Sequence, residues 1–184
     1  FGGNIAVTCY APISYISAVV MLLMQGVSDG SQPLISLAYG EGKHDTTKAV
    51  RDLAYRFAFG VAVVCSVVLF LLRGSAAHLF GASEQVTMLV AQILPIFIIG
   101  FVFVSVSRVT TAYFYATGKN LWAYILIYGE PLTLCILLLI LPNAMGSVNG
   151  TWVSVPLSQI IAMLLSLLLI HKNRTLEHQL PSHE

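Results

Sequence analysis

Five apolar stretches, each long enough to cross a lipid bilayer, occupy most of this chain: residues 5–39, 46–72, 83–117, 120–141 and 151–171. A hydrocarbon core of roughly 30 Å needs about 20 residues of helix, and in lipid only helices or closed barrels satisfy every backbone polar group. From Phe57 to Leu72 no charge interrupts the sequence. Charged residues make up 9% of the chain against 57% hydrophobic, where a soluble domain carries about 25% charged. Such a chain has too little charge to cover its surface in water. The expected fold is an all-α integral membrane protein of about five transmembrane helices, with the lipid bilayer as its first partner. A net charge of +1 offers no basic field for phosphates, so nucleic acid is excluded as a partner.

Taken in order, the first stretch is longer than a bilayer requires, and one end of it should project. Pro12 near its start suits an entry turn or a kink. A charged loop at residues 40–45 leads to the second helix, and residues 75–80, closed by Gly81, suggest a helical turn at the interface. Ser83 is placed to cap the third helix, with Glu84 beside its positive end. Pro95 and Gly100 are its expected bend points. Pro142-Asn143 should stop the fourth helix. The membrane lobe is expected over residues 1–172, with a polar, frayed cytoplasmic tail at 173–184. Cys9, Cys65 and Cys135 lie singly in apolar runs, and read as small core residues rather than a disulfide or metal framework. The opening Phe1-Gly2-Gly3 has no basic n-region, so no signal peptide is expected there, and the chain reads as a piece of something longer.

The most informative polar pattern lies in the second half of the first helix. Gln25, Asp29, Gln32 and Ser36 recur at spacings of four, three and four, which stacks them on one helical face. Gly26 and Gly30 form a small-xxx-small step that lets another helix approach closely in lipid. Pro33 lacks an amide hydrogen and releases the carbonyl of Asp29 from its helical bond. A carboxylate, two amides and a freed carbonyl on one turn suggest a helix lining a wet pathway.

The run Gly26-xxx-Gly30-x-Gln32-Pro33, with Tyr39, Gly40 and Gly42 after it, resembles the second-helix motif of the carboxy-terminal lobe in the multidrug and toxic compound extrusion (MATE) transporters. The turn at Gly118-Lys119 and the segment Gly146-xxx-Gly150-x-Trp152-xxx-Pro156 resemble the same family, in the same order. The resemblance implies that the five helices form most of one six-helix lobe of a two-lobe transporter in the cell membrane. It also implies a small cationic or amphipathic drug as substrate, protons or sodium ions as the coupling partner, no other cofactor, and a missing amino-terminal lobe of the same protein. A flippase or exporter of lipid-linked sugars is the alternative within the wider superfamily, and an intramembrane enzyme is disfavoured because no paired catalytic set stands at membrane depth.

Two further charges fall inside apolar runs. Glu130 sits in the middle of the fourth stretch, where an acid costs roughly 2.5–3.5 kcal/mol on insertion scales, so it should face a cavity, a cation or another helix. It also departs from the family pattern, in which a basic residue stands near this point. Arg108 reads either as a snorkelling side chain or as the ion-pair partner of Glu130 or Asp29. Asp29 itself reads either as a proton- or cation-binding acid or as an interfacial acid shallower than Glu130. Gln25, Gln32 and Ser36 are read as substrate contacts or as interhelical hydrogen bonds. Tyr113, Tyr115, Trp122 and Tyr124 read as an aromatic belt, and Phe97, Phe101 and Phe103 as the lining of a drug pocket or, as an aromatic stripe more often is, as packing. Lys43, Lys48, Arg51, Arg56, Lys119, Lys172 and Arg174 fall on one side of the expected membrane and Arg73 on the other. That asymmetry makes the loop at residues 40–52 and the carboxy-terminal tail cytoplasmic.

Overall fold

A computed structural model describes the backbone of residues 3–179 and the side chains of residues 7–173 apart from Leu79. It is an all-α membrane protein: α1 (Gly3–Gly40), α2 (His44–Leu72), a short 3-10 turn (Ala76–Phe80), α3 (Glu84–Ala116), α4 (Asn120–Met145) and α5 (Asn149–Gln179). Five of these helices are long and apolar enough to cross a membrane.

α3 is the centre. It packs against α1, α2, α4 and α5, and these four form two pairs around it, α1 with α2 and α4 with α5. The cause lies in the sequence of α3, which is apolar around its whole circumference and buries residues on every side, from Val90 and Leu94 to Val109 and Phe114. A helix hydrophobic all round belongs in the interior. Its buried hydroxyls are satisfied locally: Ser105, Ser107 and Thr110 donate to the carbonyls of Val102, Val104 and Val106. At the end opposite the Lys-rich turns, Ile13, Ile16 and Val20 of α1 close on Leu94, Phe97 and Phe101 of α3 and Trp152 of α5. At the other end Ile35 joins Phe114 of α3, Leu126 of α4 and Leu169 of α5. The outer helices expose what water would not tolerate, including Leu71 on α2 and Leu139 on α4. Such faces need lipid.

Two turns at the basic end are built alike. In each, a left-handed glycine ends the helix (Gly42 at φ 72°, Gly118 at φ 70°). The next residue's amide reaches back to a carbonyl of the last turn, Lys43 to Ala38 at 2.9 Å and Lys119 to Phe114 at 2.8 Å. This is the Schellman arrangement, which needs a residue without a Cβ at that position. Both turns read Tyr-x-x-Gly-Lys, at Tyr39 to Lys43 and Tyr115 to Lys119.

Several expectations need correction. α4 runs past Pro142 to Met145 and stops at Gly146, because a proline in the last turn removes only one helical bond. α5 begins two residues earlier than expected and continues to Gln179, so the expected tail from residue 173 is helical at its start. No proline or glycine interrupts it there, while residues 180–184 lie outside the described residues. Ser83 occupies the cap position of α3, but its hydroxyl makes no capping bond; its carbonyl instead receives both the amide and the hydroxyl of Thr87. Cys9 is a core residue, whereas Cys135 is exposed on the outward face of α4 and Cys65 is half-buried. Tyr113 is buried rather than belted at an interface, held under the guanidinium of Arg51 at 5.2 Å from its ring centroid.

Candidate functional site

The polar stripe of α1 lies beside that helix's packed face, not on it. Met24, Ser28, Ser31, Ile35 and Ala38 turn inward. Ser28 and Ser31 donate to the carbonyls of Met24 and Ser28, so their burial leaves no hydroxyl unpaired. About 80–140° further round, Asp29 and Ser36 are exposed and Gln25 and Gln32 half-buried. Gln25 Nε2 donates to Asp29 Oδ1 at 2.7 Å, as the i,i+4 spacing allows. Pro33 is exposed with them. The close helix approach expected at Gly26 and Gly30 is not made among the described residues: a Cβ at either position would meet nothing within 4 Å. The reason is rotational, because α1 offers α2 and α3 its Met24–Ser31 side.

The two remaining charges are brought together. Arg108 Nη2 lies 3.9 Å from Glu130 Oε2, joining α3 to α4, with the side chains 35% and 20% exposed. Of the partners open to Arg108 in the sequence, the structure selects Glu130. At that distance the contact is a charge pair without a hydrogen bond, and Arg108 Nε is buried with no partner. Next to it, Thr133 donates to the Gly129 carbonyl at 2.7 Å, holding the backbone around Pro131.

The packing of α1 on α3 sets the height of Asp29 against that of Arg108. Ile35 and Phe114 share one core cluster near the basic end, and Val27 packs in a cluster with Val109. Asp29 precedes Ile35, and Arg108 precedes Phe114, by the same number of residues, about 9 Å of helix. Asp29 therefore stands within about one helical turn of the height of Arg108. Asp29 with Gln25, and Arg108 with Glu130, make two polar pairs at similar height.

The helix arrangement leaves a cleft on the opposite side of α3 from Arg108. α5 meets α3 at Gly100, where a Cβ would stand 1.7 Å from Gln159 Oε1. Near the end opposite the basic turns Trp152 touches both Phe97 of α3 and Tyr10 of α1, so α1 and α5 close over α3 there. Towards the basic end, Val106 borders the cleft between α2 and α5. Arg108 points about 200° away from Val106 on the wheel of α3, on the side where α4 supplies Glu130.

Three polar residues escaped the sequence reading. Arg51 entered the sequence reading only as one of the basic residues on the cytoplasmic side, yet its side chain is 3% exposed and pairs with Asp52 at 2.7 Å. Its signal was the row Thr47, Arg51, Ala54, Ala58, Ala62, a helical stripe of small residues that is the buried face of α2. Tyr55 exchanges a hydrogen bond of 2.7 Å with Thr110, tying α2 to α3. Gln159 is buried with its carbonyl oxygen unpaired; an amide inside the apolar run 151–171 was the available signal. Among the described residues, no three His, Cys, Asp or Glu side chains converge on a metal site.

Against known proteins, residues 1–139 match the MatE family model. No curated protein and no solved structure matches the chain.

Proposed function

Because the chain belongs to the MatE family of membrane transporters, we propose that it supplies five helices of the second lobe of a secondary antiporter. That antiporter exports cationic or amphipathic drugs across the cell membrane in exchange for protons or sodium ions. In this reading a missing first lobe completes the substrate cavity, and the two lobes rock about it. The loop between α1 and α2 and the end of α5 face the cytoplasm, on the strength of the seven basic residues gathered there.

The observation that carries the reading is the Arg108–Glu130 pair at mid-helix depth. Antiport needs a group whose occupancy by a proton or ion differs between two access states, since a ligand shifts an equilibrium only through differential affinity. A carboxylate held by a cation at 3.9 Å, short of hydrogen-bond range, is poised to exchange that partner for a proton or another cation. Asp29 is the second candidate, close to its height but exposed and bonded to a neutral amide. The alternative of a lipid-linked sugar flippase calls for more cationic residues facing the cavity, and Arg108, on the side of α3 that meets α4, is paired with Glu130.

The test uses the full-length transporter at equal membrane expression. Glu130→Gln should cut dye efflux about tenfold or more, and Asp29→Asn less, because Glu130 is the less exposed acid and its charge is matched by an arginine. If both variants export normally while folded and inserted, neither acid couples transport. Glu130 is then a structural pair and the coupling site lies outside this chain.

A further inference from the structure

The α2–α5 cleft, on the far side of α3 from Arg108, has chemistry of its own. α2 and α5 both pack on α3, and between them lies a cavity of about 520 Å³. Its polar lining, Asp52, Arg56 and His171, comes from the stretches of α2 and α5 nearest the basic end. Deeper in, Phe59, Val106 and Leu167 line it with hydrocarbon. Tyr55, the remaining polar wall, is already engaged by Thr110.

The charges do not cancel within the cleft. Asp52 Oδ1 accepts from both Nε and Nη2 of Arg51, at 3.0 and 2.7 Å, so its charge is matched outside the cavity. Arg56 has no acidic partner among the described residues, and its side chain is exposed. A cation beside an apolar trough complements an anion that carries a hydrocarbon tail. The bilayer presents that molecule to this face of the protein.

We infer that the α2–α5 cleft binds an anionic phospholipid of the leaflet at the basic end. Its phosphate lies against Arg56 beside His171, and one acyl chain runs along Phe59, Val106 and Leu167. Basic pockets between transmembrane helices recognise lipid headgroups in this way. The site is independent of the transport reading, because it lies across α3 from the Arg108–Glu130 pair.

The experiment takes the full-length transporter in a neutral detergent and follows its thermal unfolding with added phosphatidylglycerol, phosphatidylcholine or soluble glycerol phosphate. Phosphatidylglycerol should stabilise at the lowest concentration and glycerol phosphate not at all. Arg56→Gln should weaken the phosphatidylglycerol response about fivefold, the share of one basic residue at a membrane surface, and leave the phosphatidylcholine response unchanged. Arg73→Gln, at the opposite end, should change neither. Benzoylphenylalanine placed at Leu167 should crosslink to phospholipid. Equal stabilisation by the two lipids, an unaltered preference in Arg56→Gln, or stabilisation by glycerol phosphate matching that by the lipid would each overturn the inference. So would crosslinks from position 167 to protein alone, since the cleft would then be filled by another part of the transporter.

Discussion

The glycines of α1 and those of α5 and α3 look alike in sequence and differ completely in surroundings. Gly26 and Gly30 stand in open space, with nothing within 4 Å of an added Cβ. Gly150, at the start of α5, is pressed against the backbone of α4: an added Cβ would lie 2.7 Å from the carbonyl carbon and oxygen of Leu141 and the nitrogen of Pro142. Gly100 is intermediate, facing the tip of the Gln159 side chain at 1.7 Å. A small residue is thus a packing device only where a neighbour arrives. In one place the neighbour belongs to this chain; in the other, none of the described residues provides it. The polar residues divide in the same way, with Arg108 and Glu130 turned towards each other and the α1 stripe turned out of the bundle.

Substitutions to alanine should separate the two regions, and the largest effect belongs to Gly150. Two backbones cannot rotate out of the way as a side chain can, so Gly150→Ala should cost about 3 kcal/mol, the upper end of overpacking penalties. Loss of monodisperse protein on gel filtration, or a large drop in melting temperature, is the reading expected. At Gly100 the obstacle is a flexible amide, and Gly100→Ala should cost about 1 kcal/mol as Gln159 moves. Equal effects at the two positions would mean that the α3–α5 crossing is as rigid as the α4–α5 junction.

The ion pair comes next. Arg108→Met leaves Glu130 without its cation at mid-membrane depth, and should destabilise by about 2 kcal/mol. Adding Glu130→Gln should restore part of the loss, because the penalty of the single change is mostly an uncompensated charge rather than a lost attraction. If the double variant is no better than the single one, the 3.9 Å contact contributes nothing and Arg108 is held by packing of its stem.

What the sequence made legible follows from the reach of each interaction. Spans, turns and the two Gly-Lys corners depend on residues within a few positions of one another, and they were readable. Glu130 could be recognised as needing a partner, since an isolated acid in an apolar run is costly whatever the fold. Which partner it takes depends on the rotation of α3 against α4, and the sequence left Arg108 open between two acids and the headgroups. The height of Asp29 against the other helices was open, because α1 exceeds one span and the apolar pattern alone does not say which end projects. Arg51 was misread for a related reason: charge was weighed by position along the chain, while the small residues Ala54, Ala58 and Ala62 marked the face it shares as buried. What the amide of Gln159 meets became visible only when α5 was laid across Gly100.

The smallest stability effect, and the sharpest test of the comparison, belongs to the α1 face. Gly26→Ala and Gly30→Ala each replace a residue that weakens a helix interior by about 1 kcal/mol relative to alanine, at positions where the added methyl meets nothing. Melting temperature should therefore hold steady or rise slightly in the full-length transporter. Transport is expected to behave differently. The same face carries Asp29 bonded to Gln25, near the level of the Arg108–Glu130 pair. If the other lobe closes on α1 during the cycle, a methyl group at Gly30 obstructs that closure, and dye efflux should fall severalfold with no loss of folded protein. A melting temperature that drops as far as in Gly150→Ala would show instead that this face is permanently covered, making the two glycine regions equivalent. Unchanged efflux together with unchanged stability would remove α1 from the moving surface altogether.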